Sequence, residues 1–491
     1  MENLKYNFFS KSEKVIGRFY TDHKFLNIAN SIIGLIAIFS VYFVVTCSAV
    51  NADSAYYLSV SKLISKGLIP FKEVLMLYPP LCFYVFSAIY YLFGNLSYES
   101  MLGFMIVIKF IDSVILFFIG RYIKVKWNLA IFLSLVYFLS TLLYEGDSVL
   151  LENFVVCFQL LSILFIIKIG KSDYFSFLSG ITLALAVLSK QYGLFIFPGL
   201  LVFITLSTNS VGRKLFQIIL LILGFLLPIV LCVSYYWYKE VSFDYIIFSL
   251  GGSGYGERSI RTAIVGGLNL IVRNGLYLLF IPFLIYSRKT ISPFLGLILV
   301  CSAASFSPLY IHYYPHYFLL ILPFLFLVKL YIIETLEKCD IQGVLQKSLF
   351  ITVLISLIVI FLKDVKQNII CINKDGKERQ LRISRIIIKE VKQKEKVMSY
   401  SQSEWNYLCD FSPLDAKLGA YQMPGFGYEA NKKELSRFIP YNKYVKMAKE
   451  ADFLILRPGD YLFFEKNDIF EGFKKKLIIE KGVEIWERTG R

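Results

Sequence analysis

The chain has 491 residues, 56% of them hydrophobic and 17% aromatic, with a mean hydropathy of +0.60. That excludes a soluble protein of two or three domains and leaves a polytopic membrane protein. The formal charge of +16 does not call for nucleic acid, because the Lys and Arg residues gather in short clusters between apolar runs, as cytoplasmic loops do.

The basic N-terminus, "MENLKYNFFSKSEKVIGRFYTDHK", has no small-residue cleavage site and is expected to stay cytoplasmic. Apolar windows of roughly 17–25 residues then mark about eleven membrane spans. The first, 28–49, runs outward and delivers Asp53 in "NADSAYY". The amphipathic segment Ala55–Gly67 follows and is expected to lie in the membrane interface. "YPPLCFYVFSAIYYLFG" is too short to cross after its prolines and reads as an interfacial or re-entrant helix. Counting it as a span would put every later basic cluster on the outer face.

The alternation continues inward through 101–121 to "RYIKVK", outward through 128–144 to "YEGDSVLLEN", inward through 150–168, and outward through 174–189 to "SKQYG". Span 193–209 goes in, and 216–237 comes out to the loop "KEVSFDYIIFSLGGSGYGERSIRT". Spans 264–286, 291–310, 317–334 and 349–362 complete the set, with "IHYYPHY" outside and "ETLEKCDIQGVLQKS" inside. Residues 1–363, with a first outer loop over 50–100, are thus expected to form the membrane domain, and 364–491 a separate outer unit. In that unit "KVMSYS", "DFLILRPGDYLFF" and "KLIIEKGVEIWERT" read as strands and "YNKYVKMAKEA" as a helix, a small α/β domain. Docking, stability and acceptor recognition are all open as its role.

The eight cysteines are scattered through apolar runs with no CxxC pair, so neither zinc nor a disulfide framework is indicated. The ionisable residues fall on one rim: Asp53, Glu73, Glu145, Asp147, Glu152, Lys190, Arg258, Arg261, His312 and His316 all sit at outer span ends or in outer loops. Ionisable groups at membrane depth are costly and tend to line a functional cavity. Singly, each has a plainer explanation. A lone carboxylate after a span is more often an ordinary loop acid, and Lys190 alone is an interfacial anchor. His312 and His316, four apart, could share a face for a metal, but no third ligand stands near them.

Order and spacing carry more. An acid after the first span, an outer amphipathic segment with "GLIPFKEVLMLYPPL", the acid of "LLENF", the Lys of "LALAVLSKQYGLFIFPG" and a late "HYFLLILP" together resemble the GT-C glycosyltransferases. The likeness covers roughly residues 25–335 and is nearest to the branch with the protein O-mannosyltransferases and the aminoarabinose transferase. Two departures stand out: "AD" where many members have paired acids, and "YPP" where the aminoarabinose-transferase pattern has a Lys before the prolines.

The resemblance implies an α-helical polytopic membrane protein of the GT-C fold with a small C-terminal α/β extracytoplasmic domain, in a bacterial plasma membrane. It also implies transfer of a sugar from a polyprenyl-phosphate donor to a lipid, glycan or protein acceptor at the outer face. On that reading Asp53 is the general base, and Glu152 orients the acceptor or shares a divalent cation, Mg or Mn, with Asp53. Lys190, Arg258, Arg261, His312 and His316 meet the donor phosphate, while Tyr56, Tyr57, Glu73 and Tyr78 position acceptor or lipid. A transporter or flippase for a lipid-linked sugar is the alternative, and a non-catalytic subunit a third option. Transporters usually place charge near the midplane and show inverted repeats, whereas these acids cluster at one rim.

Overall fold

The computed structural model describes residues 23–74, 76, 78–143, 148–243, 292–308, 315–338, 374–391, 396–399, 403–411, 441–457, 461–465 and 467–489. The windows at 264–286 and 349–362 lie outside them.

The remaining windows are helices: α1 (His23–Cys47), α2 (Ala52–Ser65), α3 (Leu81–Phe93), α4 (Tyr98–Tyr122), α5 (Trp127–Leu143), α6 (Glu152–Ile166), α7 (Tyr174–Ser189), α8 (Phe197–Ser207), α9 (Val211–Tyr238), α10 (Pro293–Ser305) and α11 (Phe318–Lys338). By length and composition, α4, α9 and the apolar stretches of α1 and α11 can each cross a bilayer, and α5 to α8 and α10 are shorter apolar helices. The chain is an α-helical integral membrane protein. α3, the segment after the proline pair, has 13 residues. At about 1.5 Å per residue it covers about 20 Å, short of a hydrocarbon core of about 30 Å.

Local chemistry sets the boundaries. Asn51 caps α2 by accepting from the Ser54 N–H at 2.7 Å, and Ser97 and Ser292 cap α4 and α10 in the same way. α11 is buried along Phe318–Thr335, packed by α4, α5, α6 and α10, as suits a mostly apolar helix, with Lys329 and Glu334 buried in the same stretch. α1 and α9 keep most of their length exposed, as lipid-facing helices do. α7 and α9 cross closely at two glycines: a Cβ on Gly180 would stand 2.1 Å from the Leu221 carbonyl oxygen, and one on Gly224 2.1 Å from that of Phe177. With no hydrophobic drive between helices in lipid, such backbone approach is what gains contact energy.

α2 departs from expectation. It is buried on most sides, including Tyr56, Tyr57, Leu58, Val60 and Leu63, because α3 packs one flank and a C-terminal helix, α13 (Ser403–Leu408), packs another. It is therefore a covered helix rather than one lying open in the interface.

The C-terminal residues include α12 (Lys374–Glu390), α14 (Tyr441–Glu450) and four strands: β1 (Val397–Ser399), β2 (Phe453–Leu456), β3 (Phe473–Ile478) and β4 (Glu484–Arg488). The sheet order is β1-β2-β4-β3. β1 and β2 run parallel, with Val397 opposite Phe453, a pairing that needs the crossover through α14. The stretch "KLIIEKGVEIWERT", expected as one strand, is the end of β3, a 3₁₀ turn at Glu480–Gly482, and β4. Gly482 takes φ +70° at that turn. Trp405, Ile387, Ile455 and Ile485 center the core of this unit. Burial pushes the Glu484 carboxyl up, but hydrogen bonds from Tyr461, Lys475 and Trp486 outweigh it and hold the group below the ordinary carboxylate range.

Candidate functional site

Glu152 opens α6, and Lys190 sits where α7 stops. The chain turns at Lys190 into extended backbone, φ −160° and ψ 142°, before a 3₁₀ segment, Gln191–Ile196. Gly193 makes that corner possible: a Cβ there would lie 2.3 Å from the Ala186 carbonyl carbon. The motif "SKQYG" thus folds back on its own helix and turns the Lys190 side chain toward α6.

The Lys190 ammonium donates to Glu152 Oε1, and both side chains are almost completely buried, at 1% and 0% exposure. His316, in the 3₁₀ turn Pro315–Tyr317 ahead of α11, brings Nε2 to 3.7 Å from the same oxygen. Three tyrosine rings surround the ammonium, with centroids at 4.9 Å for Tyr78, 5.3 Å for Tyr192 and 5.4 Å for Tyr317. Their faces attract the cation and partly replace its lost hydration. The Tyr192 and Tyr317 hydroxyls lie 3.2 Å apart, locking two walls of the cage together. Glu152 Oε2 is buried with no hydrogen-bond partner among the described residues, so this site retains an unused acceptor.

Asp53 lies in the first turn of α2, half-buried, and the cap of that helix is Asn51. Its neighbours tie the turn to the approach to Glu152. Asn51 Nδ2 donates to Ser148 Oγ at 2.6 Å, and the Val149 N–H donates to Ser54 Oγ at 2.8 Å. The Asp53 turn and the Glu152 turn are thereby joined at one end of the bundle.

Of the other expected residues, Tyr56 and Tyr57 are buried beneath the cage, with ring centroids 6.5 Å and 5.7 Å from that of Tyr78. Glu73 accepts from the Ile69 N–H at 2.7 Å and braces its own loop. In that loop Phe71 adopts φ +64°, a conformation a side chain takes only when its surroundings impose it. Arg258, Arg261 and His312 lie outside the described residues, as do Glu145 and Asp147. Tyr192 and Tyr317 were the residues missed, although both sit inside motifs that drew attention. Among the described residues no group of three or more His, Cys, Asp and Glu side chains is placed to hold a metal ion. Glu152 Oε1 receives the Lys190 ammonium, which leaves Oε2 as the carboxylate oxygen that could meet the expected Mg or Mn.

The architecture is that of an α-helical integral membrane protein, and its likeness to solved structures shows the GT-C fold. No family model matches the sequence, and no curated protein matches it. Among solved structures it is similar to ArnT from Cupriavidus metallidurans in the apo state, with TM-score 0.66 and 12% identity over 93% of this chain and 97% of that one. The same protein bound to undecaprenyl phosphate gives TM-score 0.60 and 10% identity over the same shares. The Archaeoglobus fulgidus oligosaccharyltransferase tethered to an acceptor peptide with the NVT sequon gives 0.54 and 10%, over 96% of this chain and 75% of that one.

Proposed function

We propose that the chain is a membrane glycosyltransferase that moves a sugar from a polyprenyl-phosphate donor to a lipid, glycan or protein acceptor at the extracytoplasmic face of a bacterial plasma membrane. The observation that carries this reading is the GT-C fold shared with ArnT over 93% of the chain, with Asp53, Glu152 and Lys190 gathered at one end of it. That an ArnT structure holds undecaprenyl phosphate supports the donor class.

In the reaction the acceptor hydroxyl oxygen forms a bond to the sugar's anomeric carbon as the carbon–oxygen bond to phosphate breaks. The polyprenyl phosphate departs with that electron pair, and Asp53 takes the acceptor proton. The phosphate is a good leaving group, so it needs compensating charge rather than a general acid. An ammonium has three donors, so the pairing with Glu152 does not withdraw Lys190 from the phosphate, but the pair carries no net charge. His316, Arg258, Arg261 and His312 then supply the excess positive charge. Glu152 holds Lys190 in register and offers Oε2 to the acceptor. Tyr78, backed by the buried Tyr56 and Tyr57, shapes the wall against which acceptor or lipid rests, and Glu73 keeps the loop that delivers Tyr78.

Asp53→Asn tests the reading. Since Asn51 is the cap, the exchange leaves capping intact and removes only the carboxylate. Transfer from a radiolabelled polyprenyl-phosphate sugar by the purified protein should fall by at least about 100-fold, the lower end of general-base help, with donor binding unchanged. Transfer near the wild-type rate would overturn the assignment, and movement of donor across liposomes without transfer would favour a flippase.

A further inference from the structure

We propose that Gln380 of α12 is a positioning residue for transfer, holding the turn that carries Asp53. This rests on the reading of Asp53 as the base.

α1 stops at Cys47 and α2 starts at Ala52, so Val50 lies in the connection between them, outside both helices. Val50 is buried, and Gln380 satisfies both of its polar groups at once. Its Nε2 donates to the Val50 carbonyl at 2.8 Å, and its Oε1 accepts from the Val50 N–H at 2.9 Å. One side-chain amide here copies the two-bond pairing of a β-bridge. Leaving either backbone group unmet in a buried site would cost a desolvation penalty. Asn is a methylene too short for this, and Glu supplies both a donor and an acceptor only when protonated.

The contact is part of a wider grip. One turn earlier on α12, Lys377 Nζ donates to the Thr46 carbonyl at 2.9 Å and pairs with Glu99 at 2.7 Å. Near the far end of α2, Lys62 pairs with Asp410 at 3.2 Å and stands 4.7 Å from the Tyr407 ring centroid. α2 is thus held by the C-terminal residues at both ends, and Gln380 is the contact three residues from Asp53. Displacing a reacting group by about 1 Å can cost up to about 100-fold in rate, so this grip bears on kcat.

Full-length wild type, Gln380→Ala and Gln380→Glu in detergent, supplied with a polyprenyl-phosphate sugar, test the assignment. Gln380→Ala should lower kcat roughly tenfold, leave donor KM within about twofold, and speed amide hydrogen exchange over residues 48–54. Gln380→Glu should match Ala near about pH 8 and regain activity, relative to wild type at the same pH, toward about pH 5, where a half-buried carboxyl with an ordinary value of about 4.3 raised by burial gains its proton. That reversible recovery doubles as proof of folding, since a merely structural contact would lower yield and Tm without it. Unchanged kcat or exchange in Gln380→Ala, or a Gln380→Glu profile parallel to wild type, overturns the proposal. If Asp53→Asn abolishes transfer while Gln380→Ala spares kcat, this inference alone falls. If Asp53→Asn retains transfer, the base reading falls and takes this one with it, even where exchange still reports the contact.

Discussion

Lys190 and Glu152 show how a residue can be recognisable in a sequence while its partner is not. Both stood out as ionisable groups at outer span ends, but 38 residues separate them and no periodicity links one to the other. The cage tyrosines were hidden for a different reason. In a chain with 34 Tyr and 45 Phe, a tyrosine near a membrane surface is indistinguishable from an ordinary interfacial aromatic. The pairing changes what a substitution means. Removing either partner of a buried ion pair leaves the other charge desolvated and alone, a loss of about 3–5 kcal/mol. Lys190→Met and Glu152→Gln should therefore each lower stability by about that amount, and the double variant should lose much less than their sum. Thermal unfolding of the three proteins in detergent checks this, and additive losses would show that the two groups do not depend on each other. The same cycle bears on function: weakened donor binding in Lys190→Met alone would mix loss of the proposed phosphate contact with a buried, uncompensated Glu152 charge. Comparison with the double variant separates them.

At the scale of elements, apolar length made the described spans legible to within a few residues, since that signal is local. What was not legible comes from contacts between elements. The end of α7 is set by Gly193 closing on Ala186, and the hairpin of β3 and β4 by a turn at Gly482 inside a run of strand-forming residues. The α7–α9 crossing is of the same kind, because Gly180 and Gly224 belong to different spans and gain meaning only together. α9 keeps most of its surface exposed, so this crossing is a principal hold on it. Gly224→Ala has no flexible neighbour to yield, the obstacle being the Phe177 backbone 2.1 Å away. It should destabilise the protein by about 1–3 kcal/mol, as overpacking does. Adding Gly180→Ala should cost less than a second full increment, because the helices will already have separated. A Tm equal to wild type for Gly224→Ala would show that the crossing is wider than 2.1 Å implies.

For the whole molecule, orientation and the docking of the C-terminal residues are one question. The proposed orientation has α2 and the C-terminal residues outside, and Lys62–Asp410, Lys377–Glu99 and Gln380–Val50 join the C-terminal residues to α2 and its surroundings. A bilayer cannot lie between groups in hydrogen-bond contact, so the two must share a side. Lys66 at the end of α2, Lys449 on α14 and Lys171 between α6 and α7 are all exposed, and the proposed orientation sets the first two outside and Lys171 inside. In a background with the eight native cysteines replaced, Lys66→Cys and Lys449→Cys should react with an impermeant maleimide in intact cells, whereas Lys171→Cys should react only after permeabilisation. Labelling of the Lys171→Cys variant in intact cells would invert the orientation and move Asp53 away from an extracytoplasmic acceptor. Labelling of just one of the other two variants would break the docking itself, and with it the contact through which Gln380 acts on the Asp53 turn.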